Sequence, residues 1–218
     1  MTRLFFDLEC IPTQKQEFID EIAKDITHPG TMKKAETIEK WEEEQKPAAI
    51  EAAVSKTVFD GGMGEIITFG WAVVDGPAQT IQRDENMSEY DLLNEVAHVM
   101  GGLKMPPVWI GHNICGFDLR YLWKRAIING CYVGKIPYDA KPWSPNVYDT
   151  MFEWAGTGSD KKSLDFVCKA LGLKGKDGMD GSMVYQAWKD GKYTEIAEYC
   201  ADDVEMTRNV YNRLNFIG

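Results

Sequence analysis

Leu4-Phe5-Phe6-Asp7-Leu8-Glu9 constrains this chain more than any other stretch. Aromatic and aliphatic residues crowd it, which predicts a buried strand. Side chains on a strand alternate faces, so Asp7 and Glu9 share one face while Leu4, Phe6 and Leu8 share the other. Two carboxylates side by side on such a strand repel each other. Water at an exposed strand end, or a bound divalent cation, must offset that repulsion. Taken alone, the pair reads more simply as a solvated strand end. Only the placement of later carboxylates can change that.

The chain has 218 residues, 44% of them hydrophobic, which suits one domain spanning residues 1–218 with a proper core. Met1-Thr2-Arg3 run straight into the strand without a signal peptide. No apolar run approaches the roughly 18 residues that a membrane helix needs, so a cytoplasmic protein with no membrane partner is expected. Cys10, Cys115, Cys131, Cys168 and Cys200 are scattered, with no C-x-x-C pair and no clustered histidine. That argues against a zinc site and a disulfide scaffold, and for reduced, packed thiols. Lys plus Arg number 24 and Asp plus Glu 34, for a net charge of −10. A nucleic-acid partner would therefore need a local basic patch. Residues 161–176 supply one, with Lys161, Lys162, Lys169, Lys174 and Lys176 against Asp165 alone.

A polar stretch follows the first strand, from Pro12 to about Phe59. Phe18, Ile19, Ile22 and Ala23 form a short helical stripe ending near Pro29-Gly30, and Thr37 to Ser55 reads as a helix interrupted or restarted at Pro47. We take about 11–60 as a helical insertion on the surface. Ile66 to Val74 alternates as a half-buried strand should, and Thr80-Ile81-Gln82 can return antiparallel after the turn at Asp75-Gly76-Pro77. Ser88 with Asp91 makes a capping box for a helix that Gly101-Gly102 ends. Val108-Trp109-Ile110 is a short buried strand broken at Gly111-His112-Asn113. A helix starts near Phe117-Asp118 and stops at Gly130. Asn146 to Asp149 is a further strand, Ser163 caps a helix, and the last helix runs from about Thr194 to Leu214. An antiparallel meander followed by alternating helix and strand implies an α/β fold, with a mixed central sheet flanked by helices.

Four acids then occupy the places that a two-metal site needs. Asp7 and Glu9 end the first strand, and Asp118 opens a helix at a sheet crevice where such folds bind ligands. Asp203 lies on the last helix, with Tyr199 one turn earlier on the same face. Singly, each has a plain alternative as a helix cap, a dipole partner or a rim residue. Together, Phe6-Asp7-Leu8-Glu9, Gly111-His112-Asn113-x-x-x-Phe117-Asp118 and Tyr199-x-x-x-Asp203 resemble the three motifs of the DEDD exonuclease superfamily. Position 198 is Glu rather than His, so the resemblance is to the tyrosine-bearing branch. The wording is most similar to proofreading domains of family B DNA polymerases, and more narrowly to stand-alone phage and bacterial exonucleases of that type.

The resemblance implies a ribonuclease-H-like fold and metal-dependent 3′–5′ hydrolysis of single-stranded DNA ends. It implies two Mg²⁺ or Mn²⁺ ions held by Asp7, Glu9, Asp118 and Asp203, hard cations that prefer oxygen ligands. By the same resemblance Tyr199 orients the attacking water, while Leu8, Asn113, Phe117 and Ser163 lie along the terminal nucleotides. A polymerase or recombination partner would act in trans. The alternatives are an RNA 3′-end trimming enzyme and a catalytically silent nucleic-acid-binding module. The stretch 11–60 is longer than the core fold needs and leaves substrate geometry open.

Overall fold

The structure, a computed structural model, describes residues 2–217. The chain divides into two compact units, Ile11–Glu65 and the remainder. The smaller unit holds α1 (Gln16–Asp25), α2 (Ala35–Glu44), α3 (Lys46–Ser55) and a 3₁₀ turn at Lys56–Phe59. The helix expected over 37–55 is thus two helices, broken at Gln45, with Pro47 in the first turn of α3. A proline there forfeits only an amide that no helix end can pair. Inside this unit Trp41 is buried. The Thr57 hydroxyl accepts from the Thr13 amide at 2.8 Å and donates to the Val54 carbonyl at 2.7 Å.

The larger unit is built on a mixed sheet of β1 (Thr2–Ile11), β2 (Glu65–Val73), β3 (Gln79–Gln82), β4 (Pro107–Gly111) and β5 (Val147–Asp149), in the order β3-β2-β1-β4-β5. β3 runs antiparallel to β2, while β4 runs parallel to both β1 and β5. Phe5 lies beside Ile110 and Gly111 beside Asp149, so the carboxyl ends of three parallel strands open at one edge. Among the described residues, six helices accompany the sheet: α4 (Glu89–Gly101), α5 (Asp118–Ile128), α6 (Thr150–Ala155), α7 (Leu164–Ala170), α8 (Val184–Lys189) and α9 (Tyr193–Leu214). α6 and α8 were not expected from the sequence, because six residues are too few to display a helical period.

The alternation along β1 decides what packs where. Phe6 faces Trp109 and Phe69, at ring distances of 5.0 and 6.1 Å. Phe5, on the face shared with Asp7 and Glu9, packs with Ala72, Ile110 and Val204, and meets Tyr211 edge-on at 5.4 Å. α9 therefore lies across the acid-bearing face. It lies close, because a Cβ on Gly70 of β2 would sit 2.7 Å from the Cys200 sulfur. The Ser88 capping box of α4 forms as expected.

One buried ion pair ties the unit together. Arg125 of α5 donates from Nε to Glu89 Oε1 at 2.9 Å, and Glu89 also accepts from the Ile66 amide at 2.7 Å and Asn129 Nδ2 at 2.8 Å. Both charged side chains are nearly inaccessible. The fold is the mixed α/β architecture that the sequence implied.

Candidate functional site

Asp7 and Glu9 lie at the end of β1, one residue apart and on one face. Their carboxylates and the Cys200 sulfur from α9 all lie within 4.8 Å of one another. The Cys200 thiol is 3.7 Å from both the carbonyl oxygen and Oδ2 of Asp7. Asp118, the first residue of α5, is buried beside them and accepts from its own amide and from the Leu8 amide. Asp203, buried on α9, lies outside that 4.8 Å group, as does Asp118, but near enough for its charge to act on Asp7 and Glu9.

The acids feel one another. Burial, then Glu9, Asp203 and Asp118, push the Asp7 carboxyl well above the usual range. Burial and Asp203 do the same to Glu9. Burial lifts Asp118 to about 7 against the pull of its two amide donors. Burial also raises Asp203, which Lys176 holds back. These are the signs expected when like charges share a low-dielectric space.

Among the described residues, a single cation answers the four carboxylates. Lys176 donates from Nζ to Asp203 Oδ2 at 2.6 Å and to the Tyr199 hydroxyl, with its ammonium 4.4 Å from the Tyr199 ring centre. Burial and Asp203 push the Tyr199 phenol upward. Asp203 Oδ1 is buried and takes no hydrogen bond among the described residues. A buried carboxylate oxygen without a donor is costly unless a cation completes it. The carboxylate oxygens of these acids fit hard divalent ions, with the protonated Cys200 thiol, raised by burial, a poor competitor.

The loop between β4 and α5 is organised by an acid that the sequence placed only in a strand. Asp149, at the end of β5 and buried, accepts from the Asn113 amide at 2.9 Å and the Cys115 amide at 3.2 Å, and caps α6 through the Met151 and Phe152 amides. Asn113 has φ +68°, the left-handed region that Asn tolerates better than most residues. His112 accounts for the residue before it. Its Nε2 bonds the Lys162 carbonyl at 2.8 Å, and Nδ1 lies 2.9 Å from Thr150 Oγ1. Burial lowers its pKa, so the ring is neutral and donates from Nε2 to that carbonyl. His112 thereby anchors the approach to α7.

The remaining sequence-derived residues fall around this frame. Ser163 caps α7 by accepting from the Phe166 amide at 3.3 Å, and lines a cavity of about 360 Å³ with Asp165, Lys169 and Lys176. Phe117 is half-buried, its ring 5.1 Å from that of Tyr121. The Leu8 side chain is buried, and alternation puts it opposite the acids. Its contribution to the cluster is the backbone amide. Sequence reasoning treated Lys176 as part of a free basic patch and read Cys200 only as core. The patch is in fact divided: Lys162 pairs with Asp160, Lys169 with Asp165 and Lys176 with Asp203. Among the described residues, no helix is long and apolar enough to cross a membrane.

Comparison with known proteins bears on this arrangement. Residues 78–218 match the family model described as "Predicted 3'-5' exonuclease related to the exonuclease domain of PolB". Residues 1–139 match the exonuclease domain of DNA polymerase family B. "Putative DNA polymerase 060R" of Frog virus 3 (isolate Goorha) is 25% identical over 154 residues, covering 58% of this chain and 15% of that protein. The family B DNA polymerase of the hyperthermophilic archaeon Pyrobaculum calidifontis superposes with a TM-score of 0.61 at 16% identity, over 99% of this chain and 24% of the polymerase. The chain therefore spans about a quarter or less of the length of either relative.

Proposed function

Because the chain belongs to the family of predicted 3′–5′ exonucleases related to the exonuclease domain of PolB, we propose that it hydrolyses single-stranded DNA from the 3′ end with the help of divalent metal. One observation carries the reading beyond the family. Asp7, Glu9, Asp118 and Asp203 share a buried space in which, among the described residues, Lys176 is the one ammonium on the cluster and Asp203 Oδ1 lacks a donor. Two Mg²⁺ or Mn²⁺ ions there would supply Lewis-acid stabilisation of the attacking and leaving oxygens of an in-line displacement.

The residues around them have distinct work in this reading. β1 fixes Asp7 and Glu9 side by side, and the Leu8 amide fixes Asp118 against them. Tyr199 stays protonated at neutral pH, so its hydroxyl orients the attacking water and does not act as a base. Lys176 holds Tyr199 and Asp203 in register. Asn113, Phe117 and Ser163 are assigned to the terminal nucleotides, by hydrogen bonding and apolar contact, while the buried Leu8 side chain, on the opposite face of β1, is not. DNA is favoured as substrate because both named relatives are polymerases of DNA.

Digestion of 5′-labelled DNA and RNA oligonucleotides, with Mn²⁺ and with chelator, tests the proposal. A metal-dependent ladder shortening from the 3′ end of DNA is expected. A ladder on RNA alone would transfer the activity to RNA trimming. No cleavage of either in Mn²⁺ would leave a binding module.

A further inference from the structure

Away from the acid cluster, a cleft of about 240 Å³ runs between the 113–116 loop, α6 and the segments around Lys141 and Lys161. Arg120, Lys141 and Lys161 line it, all three exposed. No ion pair holds any of these three side chains among the described residues, whereas Lys162, Lys169 and Lys176 each have one. Arg120 and Lys141 are near enough to Cys115, in the same cleft, for their charges to pull on its thiol. Asp149 lies on the wall, but its oxygens are taken by the Asn113, Cys115, Met151 and Phe152 amides. In a chain of net charge −10, this leaves three cations without an ion pair among the described residues along one cleft, while burial and Asp149 outweigh them at Cys115 and push its thiol up to about 12.

The cleft also has an aromatic side. Phe152 lines it, and the ring of Trp143, 73% exposed, lies 6.0 Å from that of Phe152. Cations beside a flat, accessible aromatic are what a single strand requires, phosphates on one side and an unstacked base on the other. Continuity with the cluster runs through two residues. Asn113 belongs to both the cleft and the loop that delivers Asp118, and Asp149 acts on the Asp118 carboxyl.

We propose that this cleft is a phosphate-gripping track for the single strand behind its cleaved end, with Arg120, Lys141 and Lys161 on successive phosphates and Trp143 under a base. This rests on the exonuclease reading. An acidic peptide would suit the three cations but gives no use to an exposed tryptophan ring beside them. A strand of nucleic acid uses both.

The test is binding without cleavage. Fluorescence anisotropy of a labelled dT12 oligonucleotide is followed across NaCl concentration in chelator, for wild type and for Arg120→Gln/Lys141→Gln/Lys161→Gln. The triple variant is expected to bind tenfold or more weakly at low salt, with the log–log salt slope smaller by about 2, since each phosphate that a single strand no longer has neutralised removes about 0.7. Trp143→Ala should weaken binding severalfold and leave the slope unchanged, since stacking releases no counterions. A control, Lys24→Gln/Lys33→Gln/Lys34→Gln, alters net charge equally and should keep the wild-type slope.

An unchanged slope in the cleft variant overturns the proposal, as does an equal change in the control. Binding of polyglutamate with the same slope, and of no oligonucleotide, overturns it in favour of an acidic peptide. Wild-type cleavage of dT12 in Mn²⁺ is read alongside. Cleavage with an indifferent cleft sinks the track and keeps the exonuclease. A responsive cleft without cleavage keeps the track and sinks the exonuclease.

Discussion

Among the charges buried in the sheet-bearing unit, the group around Glu89 and the group around Asp7 are built in opposite ways. Around Glu89, one carboxylate meets one guanidinium, and the Ile66 amide and Asn129 side chain take up its remaining acceptor capacity. The group is neutral and satisfied. Around Asp7, four carboxylates meet one ammonium, and an oxygen of Asp203 is left without a donor among the described residues. Burial of charge is thus no signal of function by itself, because a paired charge can simply hold helices in place. The imbalance is the signal. A fold that tolerates mutual repulsion among buried acids is arranged for a positive guest.

That contrast can be broken by removing one member from each group. Arg125→Met should leave Glu89 buried and unpaired, at a cost of about 3–5 kcal/mol in urea unfolding. Asp7→Asn should do the reverse to the metal-free protein, leaving stability unchanged or raised by up to about 1 kcal/mol as repulsion is relieved. Its effect should fall on catalysis, with 3′-end cleavage reduced at least about a thousandfold. Comparable destabilisation by the two substitutions would mean that the acid cluster is structural, like the ion pair.

Tyr199 sharpens the comparison at smaller scale. Its hydroxyl belongs to the unbalanced group through Lys176 and Asp203. Tyr199→Phe keeps the ring and removes that hydroxyl. Single-turnover cleavage should fall roughly ten- to a thousand-fold, the range for one positioned hydrogen bond to a reacting group. The half-saturating Mn²⁺ concentration should barely move. A large shift in that midpoint with an unchanged plateau would make the phenol part of the metal's surroundings.

Much of this was legible in the residues. The alternation of Phe5, Asp7 and Glu9 against Phe6 and Leu8 foretold both faces of β1, since a period of two leaves little freedom once one face is apolar. Asp118 after the β4 break and Asp203 four residues beyond Tyr199 could be placed on helices by capping and period alone. What escaped were contacts whose sequence separation is large and whose residue type is ordinary. Lys176 lies 27 residues from Asp203 and in a loop with no period, so nothing local told it from its exposed neighbours. Asp149 organises a loop 36 residues upstream through backbone amides, which carry no sequence identity. An acid ending a strand just before a helix was the one available hint. The division of the lysine patch was invisible for the same reason, as its partners Asp160, Asp165 and Asp203 matter by position rather than by count.

The smallest expected effect follows from the sign of the shifts. Ordinary paired carboxylates have depressed pKa values and stabilise a fold as pH rises. Asp118 has the opposite sign, at about 7 in the folded protein against 3.8 for the free side chain, and Asp7 and Glu9 are raised as well. Between those limits the folded state binds more protons than the unfolded chain, so this contribution is complete below about pH 4 and fades as pH climbs through 7. The metal-free melting temperature should therefore drop by several degrees from pH 5.5 to pH 8, a scale of about 2 kcal/mol for Asp118 alone. Mn²⁺ binds the ionised cluster, so the rise in melting temperature that it produces should be greater at pH 8 than at pH 5.5. Asp118→Asn removes one of the raised groups and should flatten the metal-free profile without abolishing it. A metal-free profile that is flat or rises between pH 5.5 and pH 8 would mean that Lys176 already neutralises the acids, and the distinction between the two buried groups would disappear.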